Sequence, residues 1–245
     1  SHADDDVWFS FVATKTQHLL TVAGSGLSLQ VTSGTCASPI QVLCKASTNG
    51  REILTGLTIG QTYRVRVYTA SNLATVRQRF RIGVFDIAVN DECTGAIPID
   101  VDASNDEQRT ITAPTAASSS STQPSGCTAS NYDVWYSFVA PATAVYMRDL
   151  TDAGYYSVYS GSCGSLACII AHNQSPAVAT GLVPGNTYYL AVGQNNSPNI
   201  LHFTVRELPS NDECANAVAL PVQSNVDDIT WTDCDTHYAT QSSPA

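Results

Sequence analysis

Eight cysteines carry the most definite chemistry in this 245-residue chain: Cys36 and Cys44, Cys93 and Cys127, Cys163 and Cys168, Cys214 and Cys234. No pair is spaced Cys-x-x-Cys with histidine nearby, so zinc has little to bind. An even set of cysteines in an acidic, hydroxyl-rich chain reads instead as disulfides formed in an oxidising compartment. Joining nearest neighbours predicts short bridges Cys36–Cys44 and Cys163–Cys168, and longer ones Cys93–Cys127 and Cys214–Cys234. Chain entropy values the short loops at roughly 2 kcal/mol each and the long ones at about 4 kcal/mol.

Two other groups of side chains could bind something. Asp4, Asp5 and Asp6 precede a tryptophan strand, and Asn-Asp-Glu triplets place Asp91, Glu92, Asp212 and Glu213 at apparent domain junctions. Such clusters supply the oxygen ligands that calcium takes in sets of six to eight. The competing reading is that Asn and Asp satisfy turn backbones while their charges stay hydrated. Apart from calcium, no cofactor is implied.

Arg64, Arg66, Arg77, Arg79 and Arg81 alternate with apolar or neutral residues on two strands expected to lie side by side. Guanidinium groups pair bidentately with carboxylates or sulfated sugars, so this face is expected to meet an acidic neighbouring subunit or, as the alternative, an anionic glycan, a merely solvated face being the third reading. The corresponding region of the second half carries Leu190, Val192, His202 and Thr204.

Catalysis finds no support in the motifs. The chain has no Gly-x-Ser-x-Gly elbow, His-Glu-x-x-His helix or phosphate-binding glycine loop, and its five histidines are scattered. Acidic pairs such as Asp227-Asp228 belong on hydrated turns, and no enzyme is expected. Eleven Lys and Arg against twenty-one Asp and Glu give a net charge of −10, which argues against nucleic acid and anionic membrane as partners. The apolar stretches are too short for a membrane span, and the absence of a charged-then-apolar leader suggests a mature or excised piece.

The elements that position these groups are repeated. Asp6-Val7-Trp8-Phe9-Ser10-Phe11-Val12-Ala13 returns as Asp133-Val134-Trp135-Tyr136-Ser137-Phe138-Val139-Ala140. Ser33-Gly34-Thr35-Cys36 returns as Ser160-Gly161-Ser162-Cys163, and Gly60-Gln61-Thr62-Tyr63 as Gly185-Asn186-Thr187-Tyr188. Asn90-Asp91-Glu92-Cys93 recurs as Asn211-Asp212-Glu213-Cys214, each time after a closing strand. The expected domains are 1–89, a sandwich without its first strands; 90–208, a whole one; and 209–245, the opening strands of another. Laying Thr240–Ala245 followed by Ser1–Trp8 against Thr122–Trp135 gives a match without a gap, so the chain is expected to be one period of a tandem array, completed by the following repeat or subunit.

Apolar and polar residues alternate in Tyr63–Tyr68 and Val76–Ile82, the mark of half-buried strands. Eight or nine strands are expected in the complete copy, near 97–101, 110–113, 134–140, 144–150, 155–160, 168–172, 177–181, 187–193 and 200–207. Asn49-Gly50 predicts a tight hairpin between 40–45 and 51–54. The fold class is all-β, with tandem jelly-roll-like β-sandwich domains. Trp8 and Trp135 are expected in the sandwich cores, a carbohydrate platform being the alternative.

The pattern Asn-Asp-Glu-Cys-Ala-x-Ala-Val, then Asp-Val-Trp-Tyr-Ser-Phe, Val-Tyr-Ser-Gly-Ser-Cys-Gly and Gly-x-Thr-Tyr-Tyr resembles the tandem repeats of large Bacteroidota surface proteins exported by the type IX system. Gliding adhesins and filamentous attachment appendages belong to that group. The domain is also similar to pre-peptidase C-terminal and collagen-binding sandwiches, some of which bind calcium. The resemblance implies an extracellular, cell-surface location and a structural repeat of a filament or adhesin, with adjacent copies of itself as partners. A multivalent module for a surface glycan or protein is the alternative, and an accessory domain of a secreted peptidase ranks third. The first copy departs from the pattern after Gly60, where arginines enter the strand.

Overall fold

The computed structural model describes residues 6–69, 79–103, 109–119, 132–150, 154–172, 176–195, 200–209 and 214–220, with a few single positions besides. Asp4, Asp5, Arg77, Glu213 and Cys234 lie outside the described residues, as does most of 221–245. The chain forms two compact units, Ser1–Ile87 and Ala88–Ala245. Both are built of strands, and no helix is long and apolar enough to cross a membrane.

Unit 1 contains β1 (Asp6–Val12), β2 (His18–Gly34), β3 (Pro39–Leu54), β4 (Thr62–Thr69) and β5 (Arg81–Phe85). The order is β1-β4-β2-β3, with β5 also on β2 and every pairing antiparallel. β2 serves two neighbours in turn: Leu19–Ala23 pair with β5, and Leu27–Thr32 with β4. Alternation then sorts the side chains by face. Leu27, Leu29 and Val31 of β2 meet Tyr63, Val65 and Val67 of β4 in the core, while Arg64 and Arg66 take the other face.

Unit 2 contains β6 (Ile97–Pro98), β7 (Ile111–Pro114), β8 (Tyr132–Val139), β9 (Ala144–Asp149), β10 (Tyr155–Ser162), β11 (Ser165–His172), β12 (Ala177–Thr180), β13 (Thr187–Gln194) and β14 (Ile200–Glu207). These fall near the nine expected places, the first shortened to two residues. One layer runs β11-β10-β13-β8-β6 and the other β12-β9-β14-β7, which makes a β-sandwich. Val134, Tyr136, Phe138, Leu190 and Val192 of the first layer pack with Val145, Met147, Leu201, Phe203 and Val205 of the second.

The units share a strand plan. β8 corresponds to β1, β13 to β4 and β14 to β5. β9 and β10 are separate strands where β2 runs unbroken, and β11 and β12 are separate where β3 runs unbroken. This corrects the hairpin expected at Asn49-Gly50. β3 passes straight through these residues, because both its halves pair with β2, opposite an irregularity between Val22 and Leu27. A turn there would break one half of the ladder.

The repeated Gly-x-Thr-Tyr motif makes the same corner in each unit. Gly60 and Gly185 adopt φ of +83° and +85°, where a side chain is disfavoured, and each donates its N–H at 2.8 Å to the carbonyl of Ala13 or Ala140. The Tyr63 hydroxyl accepts the Thr58 N–H at 2.9 Å, and the Tyr188 hydroxyl accepts the Val183 N–H at 2.8 Å. The ring lies in the core while the hydroxyl satisfies a turn donor, the logic of a tyrosine corner.

Candidate binding face and its disulfide cover

The outer face of the β11-β10-β13-β8-β6 layer holds a second, smaller core in unit 2. Trp135 packs against Tyr159 with ring centroids 5.3 Å apart and planes tilted by 32°, and Cys93 and Ala191 close the cluster. The segment 88–98 covers it. The Trp135 N–H donates to the Asn90 carbonyl at 2.7 Å, and the Asn90 amide returns a bond to the Trp135 carbonyl at 2.9 Å. Asp91 accepts the Ser119 hydroxyl at 2.6 Å, and a short 3-10 turn, Cys93–Gly95, leads into β6 beside β8. Each residue of the Asn-Asp-Cys part of the marker thus has a place in covering the tryptophan.

The disulfide Cys93–Cys163 fastens this cover to the β10–β11 turn, and Cys127–Cys168 ties the loop before β8 to β11, with Cα–Cα distances of 5.4 and 5.6 Å. The nearest-neighbour pairings Cys163–Cys168 and Cys93–Cys127 are therefore wrong. Cys163 sits in the β10–β11 turn, whereas Cys168 lies opposite Tyr159, three ladder steps from Ser162. Three steps span about 10 Å of strand, beyond the reach of a disulfide. Cys163 bonds to the covering segment and Cys168 to the loop before β8 instead. Cys36–Cys44 fails for the same reason: Cys44 lies opposite Gln30, four steps from the turn after Gly34, and both thiols are free and exposed. Cys214 is also free and exposed, and its expected partner Cys234 is outside the described residues.

In unit 1 the same face is open. Trp8 is 51% exposed where Trp135 is 1% exposed, and β1 has no neighbour on its outer edge among the described residues. The expectation that both tryptophans lie inside a sandwich is corrected twice over: Trp135 is buried on the outer face rather than between layers, and Trp8 is not buried. Beside Trp8 the Arg66 guanidinium lies 5.8 Å from the indole centroid and 4.9 Å from the Tyr68 ring, with its Nε donating to Asp6 at 2.6 Å. Aromatic faces and one neutralised cation form a shallow platform.

The four described arginines of the five do not form one face. Arg64 and Arg66 project from β4; Arg81 belongs to β5 and Arg79 precedes it. β4 and β5 are not adjacent, since they pair with different halves of β2. Of the acidic residues proposed for calcium, Asp6 pairs with Arg66 and Asp91 with Ser119, while Asp212 lies in the turn before Cys214. The described residues contain no group of three His, Cys, Asp or Glu side chains that could hold a metal. The Glu92 carboxyl is raised above its usual pKa by partial burial and then by the nearby Asp91 and Asp133 charges.

Layered antiparallel strands, a tyrosine corner in each unit and a disulfide-fastened cover define a secreted-type β-sandwich protein. The chain belongs to the galactose-binding-domain-like family associated with the type IX secretion system, whose model matches residues 1–82 and 89–205. That association and the disulfides mark it as a secreted chain. None of the curated proteins matches it. Among solved structures, the CUB1-EGF-CUB2 domain of human MASP-1/3 aligns at 9% identity with a TM-score of 0.25, over 84% of this chain and 94% of that one. The conserved protein PA5104 of Pseudomonas aeruginosa PAO1 aligns at 12% identity with a TM-score of 0.22, over 82% and 77% respectively.

Proposed function

We propose that this chain is a structural repeat of an extracellular, cell-surface filament or adhesin used for attachment. One observation carries the reading: the same type IX-associated sandwich occurs in both halves, and the half whose outer face is covered is covered by the segment joining the halves. A sandwich whose own leading segment is cross-linked over it suits a repeat that bears load. Calcium has no part in this reading, and neither does catalysis.

The exposed Trp8–Arg66–Tyr68 platform favours a second reading, a multivalent module for surface glycans, in keeping with the family's galactose-binding-like description. Aromatic faces stack on sugar rings and a guanidinium binds anionic substituents. Electron microscopy of the exported native protein, paired with a glycan-array measurement, separates the two. The filament reading expects rods with two sandwiches per 245 residues and no glycan signal sensitive to Trp8→Ala. Compact particles with a Trp8-dependent glycan signal would replace it with the second reading.

A further inference from the structure

Unit 1 buries an imidazole that the attachment role does not use. His18 opens β2, is 4% exposed, and meets the Phe11 ring edge-to-face with centroids 5.9 Å apart. Its Nε2 faces the turn between β1 and β2, where the Thr14 N–H donates to it at 3.1 Å and the Lys15 N–H at 3.3 Å. A ring nitrogen that accepts two N–H groups carries no proton, so the neutral ring holds its proton on Nδ1. Nδ1 lies 3.1 Å from Asp86 Oδ1, at ion-pair distance but off the line of a hydrogen bond.

Two placements of the ring therefore compete. In the one observed, Nε2 satisfies the turn while the Nδ1 proton is poorly aimed at its carboxylate. A second proton has only Nε2 to occupy, where it would point an N–H at two other N–H groups. The imidazolium must then leave the turn, and the anion beside it is Asp86. Among the described residues, the charged groups that meet the ring or its carboxylate are Asp86, just after β5, and Lys15 of the turn, whose Nζ is 3.3 Å from Asp86 Oδ2. The Thr14 hydroxyl donates to Asp86 Oδ1 at 3.3 Å and lies 3.4 Å from Nε2. β1 and β3 bring the uncharged Phe11 and Leu54. Lys15 and Asp86 are half exposed, so protons reach the cluster from solvent.

Unit 2 shows the same turn built without these groups. The Leu182 N–H bonds the Thr143 carbonyl as the Leu57 N–H bonds that of Thr16, which aligns Pro141, Ala142 and Val145 with Thr14, Lys15 and His18. Val145 is fully buried in the core, and Pro141 has no N–H to place. The sandwich closes this turn with an aliphatic side chain, so the fold by itself does not call for an imidazole.

We propose that His18 is an acid-operated latch of unit 1: the neutral ring holds the β1–β2 turn closed through the Thr14 and Lys15 amides, and the protonated ring leaves them for Asp86, which opens the turn. The step moves one proton from solvent to Nε2 and breaks no covalent bond. The same turn anchors the Gly60 corner, since the Ala13 carbonyl accepts the Gly60 N–H and the Thr16 carbonyl accepts the Leu57 N–H. Release at Thr14 and Lys15 therefore loosens that end of unit 1 before its strands separate. This goes beyond the attachment role: it stands whatever the chain attaches to.

The test is NMR of the isotope-labelled full chain from about pH 8 to about pH 5, the range in which imidazole ordinarily changes charge, reading the His18 ring nitrogens together with backbone amide exchange. At the alkaline end the ring should carry its proton on Nδ1. As the ring takes its second proton, the Thr14 and Lys15 amides should lose about tenfold in protection, while the β2–β4 ladder and the Ala142 amide of unit 2 keep theirs. His18→Gln offers the two N–H groups an uncharged oxygen and should keep both amides protected throughout. Asp86→Asn, at a half-exposed position, removes the anion that receives the ring and should move the loss to lower pH; it carries the test alone if the Gln variant does not fold. A neutral ring with its proton on Nε2, amides that stay protected once the ring is charged, a ring that takes no second proton in that range, a loss that persists in His18→Gln, or one that Asp86→Asn does not move would each overturn the proposal.

Discussion

Tyr63 and Tyr188 perform one task in two places, and the energy at stake is that of a single hydrogen bond to a turn N–H. Tyr188→Phe keeps the ring in the core and orphans the Val183 donor, so unit 2 should lose about 1 kcal/mol in denaturant unfolding. Two other tyrosines respond to pH. Burial pushes the Tyr136 and Tyr159 hydroxyls up to about 12. Both remain neutral in the folded chain at pH values where they ionise once unfolded, so their contribution is intact below about pH 10 and is lost as pH rises towards 12. Melting temperature should fall across that window, and absorbance at 295 nm should show ionisation delayed until the chain unfolds. The carboxyl of Glu92 has the same sign at lower pH: its raised pKa makes the covering segment more stable when it is protonated, and Glu92→Gln should flatten the fall in stability as pH rises above the ordinary carboxylate range. The sequence marks Gly-x-Thr-Tyr as a turn, but not the hydroxyl's partner, because a hydrogen bond to a backbone N–H five residues back leaves no trace in residue types.

At the scale of elements, all nine strands of unit 2 fall near their expected places, although β8, β10, β13 and β14 are buried on runs of consecutive residues and not on one face alone. Pairing of cysteines was not legible in the same way. Proximity in sequence suggested bridges within a hairpin, but strand geometry places Cys163 and Cys168 too far apart along the ladder, and a segment distant in sequence supplies their partners. Asn49-Gly50 misled for a related reason: it suits a tight turn locally, while pairing of both halves of β3 with β2 keeps it extended. The Cys93–Cys163 bond closes a loop of 70 residues across the small outer core. Replacing both of these cysteines by Ser should cost unit 2 about 2–5 kcal/mol, measured by denaturant unfolding without reductant. Losing the free thiols of Cys36 and Cys44 should leave the stability of an unassembled chain nearly unchanged, because they cross-link nothing there.

For the whole molecule, the two units differ most at one strand. β1 and β8 have nearly the same sequence, yet one tryptophan is half exposed and the other covered, so the difference comes from what lies against the strand and not from the strand itself. Repetition in the sequence made the marker segments visible; the role of 88–98 as a cover needed the sheet order and the Cys93–Cys163 disulfide. The type IX family association fits a secreted life in which thiols are oxidised. The most direct measurement of this account is hydroxyl-radical footprinting of the oxidised chain and of its Cys93→Ser, Cys163→Ser variant, read by mass spectrometry at Trp8 and Trp135. The account predicts that Trp135 is protected in the oxidised chain and labelled more strongly in the variant, whereas Trp8 is labelled alike in both. Equal labelling of Trp135 in the two samples would contradict it.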